Sequence, residues 1–345
     1  MENLPYTKVT LGIAAYNGGA SIQKTLDSLV AQTFNDLKIV ICDDCSNDNT
    51  VIICEKYQNN FKNIFIIKNP KNIRMYKNLN KVFQFSNSAY FAWVDQDDYR
   101  EKDFVKKCND ILDSDQGAVM AQCQVGVISK VDNKLMHINS ITSVVNEFKN
   151  VAKYRNLIKH YLDTHIYGLI RSKPLNETSL WQDINGSSYC LTFELLLKGK
   201  FLDVPGLLSY YHGMGLSNRP TPKEEMARSS KKKSLLDNFP ALAIAFFQTK
   251  IIINSSIKFF EKFIIIYLIF LDLFCNYFLK FFYRFFSKIS FGILDNYLFK
   301  ICNRFYNKEK DSTFLVDKKK YLHFYPLHYP FKKLTKNTSA LTHQS

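Results

Sequence analysis

Between residues 8 and 128, five short apolar runs alternate with four stretches whose apolar residues return every three or four positions. The strand period is two and the helix period 3.6, so each stretch suits only one kind of element. The strand-like runs are Lys8–Ala15, Leu37–Cys42, Asn63–Lys68, Tyr90–Val94 and Ala118–Ile128. The first helix is expected after Ser21, a suitable N-cap, with Ile22, Leu26, Leu29 and Val30 on one stripe. Others are expected over Thr50 to Gln58, Arg74–Phe85 and Glu101–Leu112. Such alternation predicts an α/β domain with a largely parallel sheet, helices on both faces and ligands beyond the carboxyl ends of the strands. The polar clusters lie at those ends: Tyr16 and Asn17 after the first run, Asp43 and Asp44 after the second, Asp95 to Asp98 after the fourth.

The last cluster, in YFAWVDQDD, carries carboxylates two residues apart at a strand end. That spacing can set two oxygen donors beside one hard divalent cation, the kind that also grips a diphosphate. The bland reading is a solvated loop whose acids cap the next helix, a role open to Asp98 ahead of Glu101.

With 345 residues the chain can bury a full α/β core and carry an appended segment. Its formal charge of +15 favours an anionic partner: nucleic acid, a negative membrane surface or a phosphorylated substrate. The opening MENLPYTKVTLGIAA lacks a basic stretch followed by an apolar core, so no secretory leader is expected. Eight cysteines are scattered, and the one CxxC, Cys42 to Cys45, supplies only half a zinc site, so free buried thiols are expected.

Residues 130–222 predict a mixed half, with helices near Glu147–Leu162 and Tyr189–Lys198 and a strand in HIYGLIRS. Residues 223–240 read as a basic linker. From 241 to 306, Phe, Ile, Leu and Tyr are interleaved with Lys and Arg, and no 18-residue window is free of charge. A simple spanning helix is therefore disfavoured. Lys250, Lys258, Glu261, Lys262, Asp272, Lys280, Arg284 and Lys288 fall within about half of a helical wheel. That pattern suits amphipathic helices lying in the interface of an anionic membrane, although helices packed on the domain as ordinary core would show a stripe too. The aliphatic content of IIIYLIFL has no use against phosphates and bases, so nucleic acid is not the expected partner. The tail, residues 307–345, has no assigned role.

Four blocks, in order, resemble the inverting family 2 glycosyltransferases of the GT-A fold: VTLGIAAYNGGASIQKTLDSLVAQT, LKIVICDDCSNDNT, NIRMYKNLNKVF and WVDQDD. Together they place the resemblance over roughly residues 7–215, with a nucleotide-sugar-binding half (7–128) and an acceptor half (129–222). One departure is Arg74, which stands where the family usually has glycine.

The resemblance implies a GT-A-like, Rossmann-type nucleotide-binding sheet, a nucleotide-sugar donor, most simply a UDP-sugar, and Mn²⁺ or Mg²⁺ as cofactor. It puts Asp97 on the metal and Asp95 at the ribose or sharing the cation, with Asp98 supporting. Asp43 and Asp44 would accept hydrogen bonds from base and ribose, or one of them could simply form an Asx turn. Ala15, Tyr16 and Asn17 would border the base, and Arg74, Lys77 and Asn78 could face the diphosphate. His212, in SYYHGMGLS, matches a position where some relatives place a histidine near the metal or diphosphate.

Inversion also needs a base for the acceptor hydroxyl. The resemblance expects an acid at Ser188, with Ser187 beside it, and none stands there. Asp183 is the nearest candidate, and Glu194 is expected to point away from the cleft. The implied function is transfer to a glycan or lipid-linked glycan in cell-surface polysaccharide synthesis, peripherally at the cytoplasmic face of the membrane. Two rivals remain: a sugar-phosphate nucleotidyltransferase, whose basic glycine-rich loop AAYNGGAS lacks, and an inactive nucleotide-sugar-binding scaffold, which the missing acid would favour.

Overall fold

The computed structural model describes residues 4–129, 134–139, 150–160, 166–184, 186–213, 240–271 and 273–274. Strands β1 (Val9–Ala15), β2 (Leu37–Asp43), β3 (Ile64–Lys68) and β4 (Tyr90–Trp93) lie parallel in the order β3-β2-β1-β4. Helices α1 (Ile22–Val30), α2 (Thr50–Asn60), α3 (Met75–Gln84) and α4 (Phe104–Ser114) alternate with them in the chain. Ser21 takes the N-cap position, yet its hydroxyl turns to the carbonyls of Gly18 and Gln96 and leaves the helix uncapped by its side chain.

Both faces of β1, β2 and β4 are buried, which is why they read as nearly continuous apolar runs. Successive side chains go to opposite cores. In β2, Ile39 and Ile41 join Ile22, Leu26, Cys54 and Phe104, while Val40 and Cys42 join Leu79, Val82 and Phe83. In β4, Phe91 and Trp93 take the second side, with ring centroids 4.9 Å apart and edge-on.

Beyond β4 the sheet corrects the expectation of a largely parallel arrangement. Strand β8 (Leu169–Arg171) runs antiparallel to β4 and to β6 (Ala118–Ser129). Strand β9 (Lys200–Gly213) is parallel to β6 and pairs antiparallel with β5 (Tyr99–Arg100), while β7 (Leu135–Asn139) pairs with β6. Among the described residues this makes a mixed sheet of nine strands. Pro205 and Gly206 disguise β9 as a turn in the sequence. The ladder steps from Val204 to Leu207, leaving those two residues as a bulge with Gly206 at φ 104°.

Helices α5 (Asn150–His160), α6 (Ser172–Asn176) and α7 (Ser187–Lys198) cover the Trp93 side. Two C-terminal helices follow, Pro240–Asn254 and residues 259–271. Ile244, Ala245, Ile251 and Ile252 of the first, and Ile265 and Ile269 of the second, complete the same core. The expected interfacial segment therefore spends its aliphatic side on the domain, because α7 presents an apolar surface there. Among the described residues no helix is long and apolar enough to cross a membrane. The expected linker up to residue 239, residues 275–306 and the tail lie outside the described residues.

Candidate active site

The carboxyl ends of β1, β2 and β4 meet in three interlocked loops. Gln96 is the clasp: its Oε1 accepts from Tyr16 N–H (2.9 Å) and its Nε2 donates to Tyr16 C=O (3.1 Å). A side chain on Gly18 would strike Gln96 Oε1 at 2.4 Å, so glycine is what permits the approach. Asn17, at φ 47°, donates its N–H to Ser46 Oγ and receives Asn47 N–H on Oδ1. Gly18 and Gly19 N–H donate to Thr50 Oγ1 and Asp48 Oδ2. The Thr50 hydroxyl, ahead of the N–H groups of Gly19 and Thr50, holds Asp48 below the usual carboxylate range. The chain after Ala15 is thereby fixed, with the Tyr16 ring exposed beside it.

Asp43 and Asp44 end β2 and are both buried. Asp43 accepts from Ser46 Oγ (2.5 Å) and Ser46 N–H (3.0 Å), the turn-forming role that the sequence left open for one of the pair. Asp44 accepts from Asn69 Nδ2, Ile73 N–H and Arg74 N–H, and so holds the 69–74 loop against the sheet. Asn78 is corrected by its surroundings. It is buried, donates to Cys42 C=O (2.8 Å) and accepts from Asn69, so it braces the β2 end instead of reaching toward a diphosphate. Arg74 and Lys77 are exposed at the start of α3.

The acidic loop after β4 divides its labour. Tyr167 Oη donates to Asp95 Oδ2 at 2.8 Å. Burial, then Asp95, pushes the Tyr167 phenol well above its usual range and keeps it a donor. Asp98 is buried and accepts from His212 N–H (3.1 Å), which ties the loop to the end of β9. Burial, then Asp95, raises the Asp98 carboxyl well above the usual carboxylate range, and Arg100 opposes them. Asp98 is thus a buried brace, while Asp97 remains partly open to solvent. His212 reaches the cluster through its backbone, and its ring lies 6.1 Å from that of Tyr99.

A metal held by Asp97, with or without Asp95, fits these residues, since a cation shared with a diphosphate needs only one or two protein carboxylates. Among the described residues no three His, Cys, Asp or Glu side chains converge on one point, so the protein offers no closed cage. Burial pushes the Cys42 thiol up to about 12, and the described cysteines are free.

Across from α3, the loop before α7 is anchored by Trp181. Asn80 receives Trp181 N–H on Oδ1 (3.0 Å) and donates to its carbonyl (2.8 Å). The Trp181 ring meets Trp93 edge-on at 5.5 Å, two residues before Asp95. Asp183 is half-buried on this loop. Ser187 Oγ accepts Gln182 N–H (2.6 Å), so the serine beside the expected acid position closes the loop. Glu194 faces back, accepting from Ser179 N–H (2.9 Å) and Oγ (3.4 Å). Sequence reasoning missed Gln96, Tyr167 and Trp181. Only Gln96, inside the acidic motif, carried a local signal.

Residues 10–177 match the family model described as Glycosyl transferase family 2. A chondroitin synthase from Pasteurella multocida is 36% identical over 100 residues, covering 29% of this chain and 10% of that protein. The Escherichia coli UDP-Glc:alpha-D-GlcNAc-diphosphoundecaprenol beta-1,3-glucosyltransferase WfaP is 35% identical over 91 residues, covering 26% of this chain and 36% of that enzyme. These matches span a tenth and about a third of the relatives' lengths. In fold, the chain is similar to S. aureus TarS 1-349 solved in complex with UDP: TM-score 0.57, 17% identity, 77% of this chain and 72% of that one. The α/β sheet is thus of the GT-A-like kind.

Proposed function

From the match of residues 10–177 to the family model described as Glycosyl transferase family 2, we propose that the chain transfers a sugar, with inversion, from a nucleotide diphosphate sugar to a glycan or lipid-linked glycan during cell-surface polysaccharide synthesis. The observation that carries this reading is the acidic loop, where Tyr167 fixes Asp95 and Asp98 is buried, while Asp95 and Asp97 both keep partial access to solvent. UDP is the preferred nucleotide because TarS was solved with it and the name of WfaP specifies UDP-Glc. The same name motivates a lipid-linked diphosphate acceptor.

In this reading Tyr16 lies against the base, while Asp43 and Asp44 offer it their remaining lone pairs. Asp95 borders the ribose, and Arg74 and Lys77 face the diphosphate. Asp97, alone or with Asp95, would hold Mn²⁺ or Mg²⁺, with His212 at its margin, and that ion would neutralise charge on the departing diphosphate. Asp183 takes the proton of the acceptor hydroxyl as that oxygen bonds the anomeric carbon. The bond to the diphosphate breaks on the opposite side and the nucleoside diphosphate leaves.

Donor hydrolysis and transfer with Mn²⁺ test the assignment. Asp97→Ala should abolish both, whereas Asp183→Asn should cut transfer at least about a hundredfold and leave donor affinity unchanged. An Asp97→Ala protein with full turnover would defeat the reading. Near-normal transfer by Asp183→Asn would remove Asp183 as base.

A further inference from the structure

The second C-terminal helix has its polarity reversed for a surface helix. Phe259, Phe260 and Phe263 are 81%, 78% and 68% exposed, and Tyr267, Phe270, Leu271 and Phe274 continue the same outer arc. At 100° per residue these positions fall within about 120° of the helix circumference. The opposite side carries Ile265 and Ile269, both buried. Polar groups turn toward the protein: Glu261 Oε2 accepts from Asn150 Nδ2 (3.0 Å), and Lys262 Nζ donates to Ile253 C=O (2.7 Å). The first helix adds Leu242, Phe246 and Ile253 to its own outer face. The second helix alone exposes apolar surface on the order of 800 Å², larger than soluble monomers ordinarily leave open.

The geometry points to a lipid bilayer with anionic headgroups as the partner of this face. The charge argues for lipid: the chain carries +15, Lys250 and Lys258 are exposed on and between the two helices, and residues 275–306 continue the mixture with five basic residues against one aspartate. Phenylalanine and tyrosine with interspersed lysine suit the boundary between acyl chains and negative headgroups. The face is also coupled to the acceptor side of the site. A side chain on Gly186, which sits at φ 87°, would strike Ile244 Cδ1 of the first helix at 2.5 Å, so that helix rests against the chain three residues from Asp183. Docking therefore brings the Asp183 loop to the membrane, where a lipid-linked acceptor resides. That last consequence rests on the glycosyltransferase reading, and the surface itself does not.

The test is flotation of the full-length protein with vesicles of phosphatidylcholine, alone or mixed with phosphatidylglycerol, beside a Phe259→Ser/Phe260→Ser/Phe263→Ser variant. The wild type should float with the mixed vesicles and less as salt rises. The variant should lose on the order of a hundredfold in partition while keeping its melting temperature. A variant that floats like the wild type would place the contact elsewhere in the chain and overturn the proposal. So would a wild-type dimer that the variant converts to monomer, because a second copy would then cover the face. If the protein floats but no UDP-sugar with Mn²⁺ raises its melting temperature, the surface stands and the glycosyltransferase reading falls.

Discussion

Arg74 concentrates a conflict between backbone and side chain. Its φ of 78° and ψ of 161° lie in a region that is essentially glycine's, and its N–H is committed to Asp44 Oδ2 at 2.8 Å. Such strain costs about 1–3 kcal/mol and persists where the side chain is needed. Arg74→Gly should therefore raise unfolding stability by about 1 kcal/mol, after the flexibility of glycine is offset, and weaken UDP-sugar binding by about tenfold. Denaturant titration and donor binding read the two effects separately. Unchanged affinity would show the guanidinium to be merely solvated.

Glu194 makes a second prediction at this scale. Burial raises its carboxyl, against lowering by the Ser179 donors and Lys198. A carboxyl whose folded value exceeds the unfolded one of about 4.3 contributes most below that pH and loses its contribution as pH rises through the folded value. Stability of the wild type relative to Glu194→Gln should fall on raising the pH from about 4 through that elevated value. A parallel pair of stability–pH curves would refute it.

At the scale of elements, the β4–β8–β6 junction depends on one fork. Arg171 Nε donates to Ala118 C=O (2.7 Å), Nη2 to the carbonyls of Leu112 (2.5 Å) and Asp115 (3.1 Å), and Nη1 to Tyr90 Oη (3.0 Å). These acceptors belong to the start of β6, the end of α4 and the start of β4. A lysine cannot present donors in that plane. Arg171→Lys should cost about 2–3 kcal/mol by stranding carbonyls, measured by urea unfolding with the m-value unchanged. A cost below 0.5 kcal/mol would show that water replaces the fork. The parallel half of the sheet was legible because β1 to β4 are apolar runs bounded by helices. In the other half the strands β6 and β8 were legible but not their antiparallel pairing, while β5, two residues long, and β9, whose bulge imitates a turn, were not.

Taken whole, the molecule joins the proposed donor site at the β1, β2 and β4 ends to a C-terminal pair of helices through the Trp181 and Gly186 loop. A donor bound through a shared cation stabilises only when both are present. UDP-sugar with Mn²⁺ should therefore raise the melting temperature by ~5 °C at saturation, and chelation should abolish the shift. A shift that survives chelation would argue for binding without metal.

The sequence by itself determined the order of strands and helices through residue 128, short β5 excepted, and the polar residues waiting at their ends, because periodicity and acidic clusters are local properties. It also exposed the missing acid at Ser188 and the arginine at a glycine position. Only the tertiary structure decided which acid is buried and which distant partners hold the loop. Tyr167 lies 72 positions from Asp95 and His212 lies 114 from Asp98, so neither partnership leaves a mark in a sequence window. The same holds for the C-terminal helices. Their composition announced an amphipathic surface, but only packing on the domain could assign the isoleucines inward and the phenylalanines outward, since burial depends on what a stripe meets.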